Sequence, residues 1–368
     1  MDIKEYKCPN CGGAVKFDSS SQNMKCPYCD AEFEIADLED YQRELASPTK
    51  DKFDWNSELE KIQGGAANNW DNFEQDCLST GSCPSCGAEL IGDNNTIAMV
   101  CPCCGNSQIV QKRITGMLKP EYIIPFKLEK KDAIEALKKF YKGKRLLPDC
   151  FKDGNRISCI QGVYVPFWLY DAQTKAHIRY RAAKTKSWSD SNYYYTKTSF
   201  YSIVRDGILG FEKVPVDGSE KMDNDYMDSI EPFNYALIKD FQSAFLSGYL
   251  AEKYDVDAKQ CMERAAARMK TSVETEFRKS VTGYSSVSTE SSTVDIKGGK
   301  ISYSLFPVWV LNTKYKNENY LFIMNGESGR LVGRLPADVK KSWKYRLLFT
   351  GIFGAAFTII IQVLKLFF

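Results

Sequence analysis

The sequence predicts an α+β protein that carries two small cysteine-rich modules and ends in one membrane-crossing helix. Three observations support that class. Paired cysteines recur in the first 116 residues, strand and helix periodicities alternate from residue 117 to about 338, and an uncharged apolar run starts at Leu347. At 368 residues the chain can hold one large domain or two or three small ones. Hydrophobic residues make up 43% and charged residues 26%, which is enough to bury a core over most of the length.

The cysteine modules come first in the chain. CPNCGGAVKFDSSSQNMKCPYC runs from Cys8, and CPSCGAELIGDNNTIAMVCPCC repeats its plan from Cys83. Both read C-P-x-C, fourteen residues, C-P-x-C. The opening MDIKEYKCPNC is polar and lacks the apolar stretch of a secretory signal, so thirteen cysteines read as metal ligands in a reducing compartment. A C-x-x-C turn presents two sulfurs to one ion, and zinc takes four thiolates as a tetrahedron. Such turns need a residue that tolerates a left-handed backbone where amides fold back on sulfur, and Gly12, Gly87 and Gly105 fit. We therefore expect Cys8, Cys11, Cys26 and Cys29 to hold one Zn2+, and Cys83, Cys86, Cys101 and Cys104 a second. Iron could occupy the same sulfurs, but zinc is the commoner occupant of closed thiolate sites. In CPCC the spacing selects Cys104 and leaves Cys103 a spectator. KFD before SSSQ and TIAMV before the last pair are the strands expected around polar turns.

These motifs resemble the bacterial TFIIB-type zinc-ribbon membrane proteins, some of which are labelled primosomal helicase-like. IQGVYVPFWLYDA, VPVDGSEKMDNDYMDSIEPF and MNGESGRLVGRLP extend the resemblance beyond the ribbons. It implies, for this chain, a phage-shock-protein-A-like or other membrane-protein partner and a recruitment role in envelope stress.

Charge argues against reading nucleic acid. Residues 1–116 hold 10 Lys/Arg against 19 Asp/Glu, a net of −9, while the remainder carries +11. Two zinc tetrathiolates would bring the first region to about −13. Phosphate binding rests on lysine and arginine, and no basic stripe accompanies either ribbon. A helicase reading lacks its P-loop, since YKGKRLLP and KGGKIS miss the upstream glycine. KGGKIS is instead expected to be a hairpin turn. Between the ribbons, Tyr41, Phe53, Trp55 and Trp70 are expected to pack locally, with partner docking the other reading.

Strands and helices are then assigned by period. YIIPFKL, with Pro125 inside, is expected at a sheet edge. KKDAIEALKKFYKG carries Ala133, Ile134, Leu137 and Phe140 on one face and stops at Gly143, which predicts an amphipathic helix. GVYVPFWLYDA reads as a buried strand, and the alternating AHIRYRA after it as a half-buried one. YYYTKTSFYSIV is another strand block. NYALIKDFQSAFLSGYLAEKYD and DAKQCMERAAARMKTSVETEFRKS read as helices. STVDIKGGKISYSLFPVWVLN and NENYLFIMNGESGRLVG return to strands, the latter as a hairpin turning at Asn325-Gly326 with Gly329 behind. VYVPFWLY and SLFPVWVLN echo each other as two strand-rich halves.

No catalytic constellation is recognisable. The lone His177 sits in an alternating strand and reads as structural, and the scattered Cys77, Cys150, Cys159 and Cys261 read as buried thiols. The aromatic run from Trp188 to Tyr201 serves equally as a contact surface or a half-exposed strand face.

The tail, LLFTGIFGAAFTIIIQVL, spans roughly 27 Å as a helix, close to the hydrocarbon thickness of a bilayer. Its apolar residues lie on every side of a helix, not along the one stripe of a surface helix. Lys340, Lys341, Lys344 and Arg346 precede it with Trp343 and Tyr345, so the bulk of the chain is expected in the cytoplasm. This division puts ribbon one at residues 1–36, an acidic, partly helical linker at 37–78, ribbon two at 79–116, the α+β domain at 117–338 and the anchor at 339–368. The expected function is a non-enzymatic, single-pass cell-membrane scaffold or adaptor with membrane lipid and a protein as partners. A nucleic-acid-binding ribbon protein and an enzyme with an unrecognised site are the alternatives.

Overall fold

The computed structural model describes residues 6–46, 51–63, 70, 78–93, 101–106, 110–113 and 118–367. Its architecture is mixed α+β, with a large strand-rich sheet, two four-cysteine clusters toward the N-terminus and an apolar C-terminal helix. The chain divides into two compact units, Met1–Ile62 with Leu169–Pro215 and Met262–Ile301, and Gln63–Trp168 with Val216–Cys261 and Ser302–Phe368.

The first unit holds the first cysteine cluster on its own antiparallel sheet, Lys16–Asp18, Asn23–Lys25 and Glu32–Phe33. Val15 and Leu38 are buried with the cluster, and Leu38 comes from the helix Ile35–Ala46. The linker aromatics Tyr41 and Trp55 are buried. The Trp55 indole sits edge-on to Tyr170 and donates Nε1–H to the Asp171 carbonyl at 3.0 Å. Helix Ala258–Lys279 buries Ala265, Ala266, Met269 and Val273, a stripe at helical spacing. Full burial of side chains the size of Met269 and Val273 stabilises by about 2 kcal/mol each.

Trp55 explains one departure from expectation. Gly298 and Gly299 form no hairpin turn, because they lie inside the unbroken strand Ser286–Tyr315. A Cβ on Gly298 would fall 2.3 Å from the Trp55 ring and 2.4 Å from the Asp54 carbonyl oxygen. Gly298 keeps its strand face bare for the indole, while Gly299 approaches Asp171.

In the second unit the strands follow the order Lys239–Asp240, Tyr122–Ile123, the end of Ser286–Tyr315, the start of Gln161–Ser189, Leu250–Glu252, Glu89–Asp93, Leu78–Ser82 and Val110–Arg113. Glu318–Asn325 pairs antiparallel with the end of Ser286–Tyr315, and Leu331–Gly333 pairs in turn with it. The expected hairpin forms, but Asn325 ends its first strand and the turn runs from Gly326 to Gly329, closed by the Asn325 amide on the Arg330 carbonyl, with Gly329 at φ +76. The two strand stretches with Pro and Trp two apart occupy neighbouring strands of this sheet. Trp168 and Trp309 are both buried, donating Nε1–H to the carbonyls of Val256 and Leu128. Helix Lys130–Tyr141 starts with a capping box between Glu129 and Asp132 and buries Ala133, Leu137 and Tyr141. These pack with Phe151, Trp309 and Phe322.

Two expectations here are overturned. Tyr122–Ile123 is flanked on both sides by strands, so it is not at an edge, and Pro125 falls just past its paired residues. The segment expected as a helix from Asn234 to Asp255 instead breaks into the 3-10 turns Tyr235–Leu237 and Ser243–Leu246 and the strands Lys239–Asp240 and Leu250–Glu252. Gly248, at φ +79, follows the second turn, and Leu250–Glu252 then pairs between Gln161–Ser189 and Glu89–Asp93. Tertiary pairing overrides helical periodicity there.

The C-terminal helix Val339–Phe367 is capped by Asp338, whose carboxylate accepts the amides of Lys340 and Lys341. Lys341 ties it back to the second unit, donating to the Leu147 carbonyl and the Asp149 carboxylate. Beyond that point, Leu347, Leu348, Phe349, Ile352, Phe353, Phe357, Ile359, Ile360 and Ile361 are all exposed. The segment Val339–Gln362 has a mean hydropathy of 1.4 and is long and apolar enough to cross a membrane, and none of it is buried within the protein.

Candidate metal centres

Four C-x-x-C turns build two sites, and the four turns share one backbone. In each, the first cysteine's carbonyl accepts the amide four residues on, and its own amide donates to the carbonyl five residues on. The first pattern joins Cys8 to Gly12, Cys26 to Asp30, Cys83 to Gly87 and Cys101 to Gly105. The fourth residue past the cysteine is left-handed each time, at φ +77, +55, +73 and +76. Glycine meets that need at no steric cost in three turns, and Asp30 in the other, since a short polar side chain tolerates the conformation. The sequence reading found the three glycines and missed Asp30.

The turns bring together the sulfurs of Cys8, Cys11, Cys26 and Cys29, and separately those of Cys83, Cys86, Cys101 and Cys104, each set lying within 4.8 Å. Sulfur pairs across the first site are 3.5 and 3.6 Å apart, and across the second 3.6 and 3.7 Å. A tetrahedron with metal–sulfur bonds near 2.3 Å has edges of about 3.8 Å, so both sets fit one ion. The leading cysteine of every pair is buried, and its partner is the more exposed. The TIAMV segment expected to lead into Cys101 lies outside the described residues, as does Cys77; of the other thiols expected to be buried, Cys261 is, Cys150 is half-buried and Cys159, in the turn before Gln161–Ser189, is exposed.

Two of these thiols, Cys26 and Cys101, are drawn below the ordinary range, while burial raises Cys8, Cys29, Cys86 and Cys104. Burial opposes ionisation of Cys26, yet the amides of Tyr28 and Cys29 and the neighbouring thiols bring it down to about 7. Burial pushes Cys29 up to about 12, against the amide of Ala31. In the second site the Cys103 thiol is the largest influence on Cys101, which falls to about 5. Cys103 itself is held well above the ordinary thiol range by that same hydrogen bond. It stands outside the four-sulfur set, as the spacing indicated.

The two sites differ in support. The first rests on its own small sheet. The second is continuous with the large one: Leu78–Ser82 enters it, Glu89–Asp93 leaves it, and Leu90 and Ile91 pair with Glu252 and Ala251. Asn312 also donates its amide to the Cys103 carbonyl at 2.6 Å, and Lys253 reaches the Glu89 carboxylate at 2.7 Å. Beside this second site lies Glu252, 1% exposed, accepting from Ser219 Oγ at 2.9 Å. The Cys103 sulfur is 4.0 Å away. Burial raises this carboxyl to about 8; Ser219 works against the rise, and Asp255 and Cys101 add to it. No motif marked Glu252, because the strand that carries it was read as helix. His177 lies in the first unit with Nδ1 2.5 Å from an Asp206 oxygen.

Fold and sites together define a class: an α+β protein with two four-cysteine metal-binding modules and one apolar helix able to span a bilayer. Against known proteins, the chain is 32% identical over 357 residues to the uncharacterized protein YdjG of Bacillus subtilis (strain 168), covering 96% of each chain. It belongs to the family of that protein. No family model matches the chain, and no solved structure matches it.

Proposed function

We propose that this chain is a tail-anchored zinc-ribbon scaffold that holds a protein partner at the cytoplasmic face of the cell membrane and performs no catalysis itself. The observation that carries the reading is the exposed apolar helix, fastened at Lys341 to a folded unit that bears a four-cysteine site. Such a helix left in water would expose a large apolar surface, which a bilayer removes. Zinc is the occupant that best suits closed four-thiolate sites. Lys340, Lys344 and Arg346 on the preceding flank favour a cytoplasmic bulk, and each basic residue near anionic lipid adds about 1 kcal/mol of attraction. The resemblance to TFIIB-type zinc-ribbon membrane proteins supports a phage-shock-protein-A-like or other membrane-protein partner and a role in envelope stress.

Deleting residues 347–368 should release the protein from the membrane fraction with its metal content unchanged. Ile360→Arg should weaken insertion, since a charge near mid-span costs about 2.5–3.5 kcal/mol. A truncated protein that still pellets with membranes after a high-salt wash would overturn the anchor. Pull-down of the full chain from detergent-solubilised membranes tests the scaffold role, and the absence of any stoichiometric protein partner would refute it.

A further inference from the structure

The strands Gln161–Ser189 and Tyr194–Asp217 meet in a hairpin whose tip has no core to serve. Every residue from Lys184 to Thr198 is exposed, so neither face of the tip is packed. A lone two-stranded ribbon is marginally stable in water, and one cross-strand aromatic pair adds about 1 kcal/mol at most, which does not call for a whole exposed aromatic cluster. Yet Trp188 is 52% exposed, Tyr193 66% and Tyr194 94%.

The register sorts these side chains by face. Thr185 bonds Thr198 across the strands, and Ser187 bonds Thr196. Between them, Lys186 falls opposite Lys197, and Trp188 opposite Tyr195. The Trp188 and Tyr195 rings stack at 5.5 Å with 12° between planes, and Tyr193 meets Tyr195 edge-on. Lys184 stands on the same face, its ammonium 5.5 and 4.9 Å from the rings of Tyr201 and Tyr284. Like charges directly opposite each other destabilise a strand pair. The acidic group at the tip, Asp190, is engaged by the turn amides of Asn192 and Tyr193 and by the Tyr195 hydroxyl. One face of the tip therefore joins three lysines to a tryptophan–tyrosine cluster.

We infer that this hairpin tip docks on the head-group layer of an anionic bilayer, as a second membrane contact distinct from the C-terminal helix. Trp and Tyr, with an apolar body and a polar tip, are the side chains that favour that layer, and lysine complements its charge. Single-stranded nucleic acid fits less well, because Trp188 and Tyr195 stack on each other and leave one outer face each for a base. The inference rests on the membrane reading in one respect: a chain held at a bilayer meets its head groups at high effective concentration.

Tryptophan emission tests it directly. Of six tryptophans, Trp55, Trp70, Trp168 and Trp309 are buried, and only Trp188 and Trp343 are exposed. The full chain is reconstituted into phosphatidylcholine–phosphatidylglycerol vesicles whose acyl chains carry bromine near the head groups, a contact quencher. Trp343→Phe, which leaves Trp188 as reporter, should still be quenched. In that background Lys186→Gln and Lys197→Gln should each lower the docked-to-free ratio about fivefold, and omission of phosphatidylglycerol should lower it by about 25-fold or more. Trp188→Phe leaves Trp343 to report the anchor independently. An unquenched Trp343→Phe variant beside a quenched Trp188→Phe variant overturns the hairpin contact and leaves the anchor standing. Loss of quenching in both overturns both. Quenching of Trp188 by a single-stranded oligonucleotide but not by vesicles would reassign the face to nucleic acid and refute the inference.

Discussion

Replacing Glu252 by Gln tests how the second metal centre is supported. The carboxyl is buried beneath the site and raised from its ordinary 4.5 to about 8, first by burial and further by Asp255 and Cys101. Below about pH 4.5 the group is neutral whether the chain is folded or not. As pH rises through the window to about 8, the unfolded chain gives up this proton and the folded chain keeps it. The folded state then binds more protons, so stability falls with pH. At 1.36 kcal/mol per pH unit, the whole window is worth at most about 5 kcal/mol. Gln keeps the acceptor for Ser219 Oγ and has no charge to bury. The variant should therefore match the parent near the acidic end and pull ahead by about 2 kcal/mol at pH 6 and about 4 kcal/mol at pH 8. Urea unfolding of the metal-loaded, detergent-solubilised full chain measures this as the difference between parent and variant, so the pH dependence of the thiolates cancels. Parallel stability curves for the two proteins would show that Glu252 is ionised in the folded state and refute the reasoning.

Cys8→Ser with Cys11→Ser should lower bound metal from two ions to one by elemental analysis, because the first site rests on its own sheet. Cys83→Ser with Cys86→Ser should also remove one ion but lower the thermal midpoint further, since those turns open directly into the large sheet. Gly298→Ala forces a methyl against Trp55 and the Asp54 carbonyl, and a destabilisation of about 1–3 kcal/mol is expected in urea. Trp55→Ala in the same chain should make the alanine nearly neutral, and simple additivity of the two changes would contradict the packing. Binding of oligonucleotides by the full chain should fall away by moderate salt. Tight, sequence-dependent binding that survives salt would count against the charge argument.

The sequence by itself determined whatever depends on neighbours within a few residues. The C-P-x-C spacing specified both sulfur sets, because each turn closes on backbone bonds no longer than five residues. Glycine marked the left-handed position in three turns, and only Asp30, one of many aspartates, concealed it in the other. Ala258–Lys279 and Lys130–Tyr141 were legible for the same reason, since a helix repeats its apolar stripe locally. The apolar tail was legible because lipid asks for length and composition, not for partners. Tertiary structure alone decided the rest. Leu250–Glu252 became a strand because Glu89–Asp93 and Gln161–Ser189 offered it paired edges from far along the chain. That capture carried Glu252 beneath the second metal centre, where burial changes its charge. Gly298 looked like a turn until Trp55, more than two hundred residues earlier, lay across it. Each of these outcomes is set by a contact between distant segments, and no periodicity within either segment records which partner will arrive.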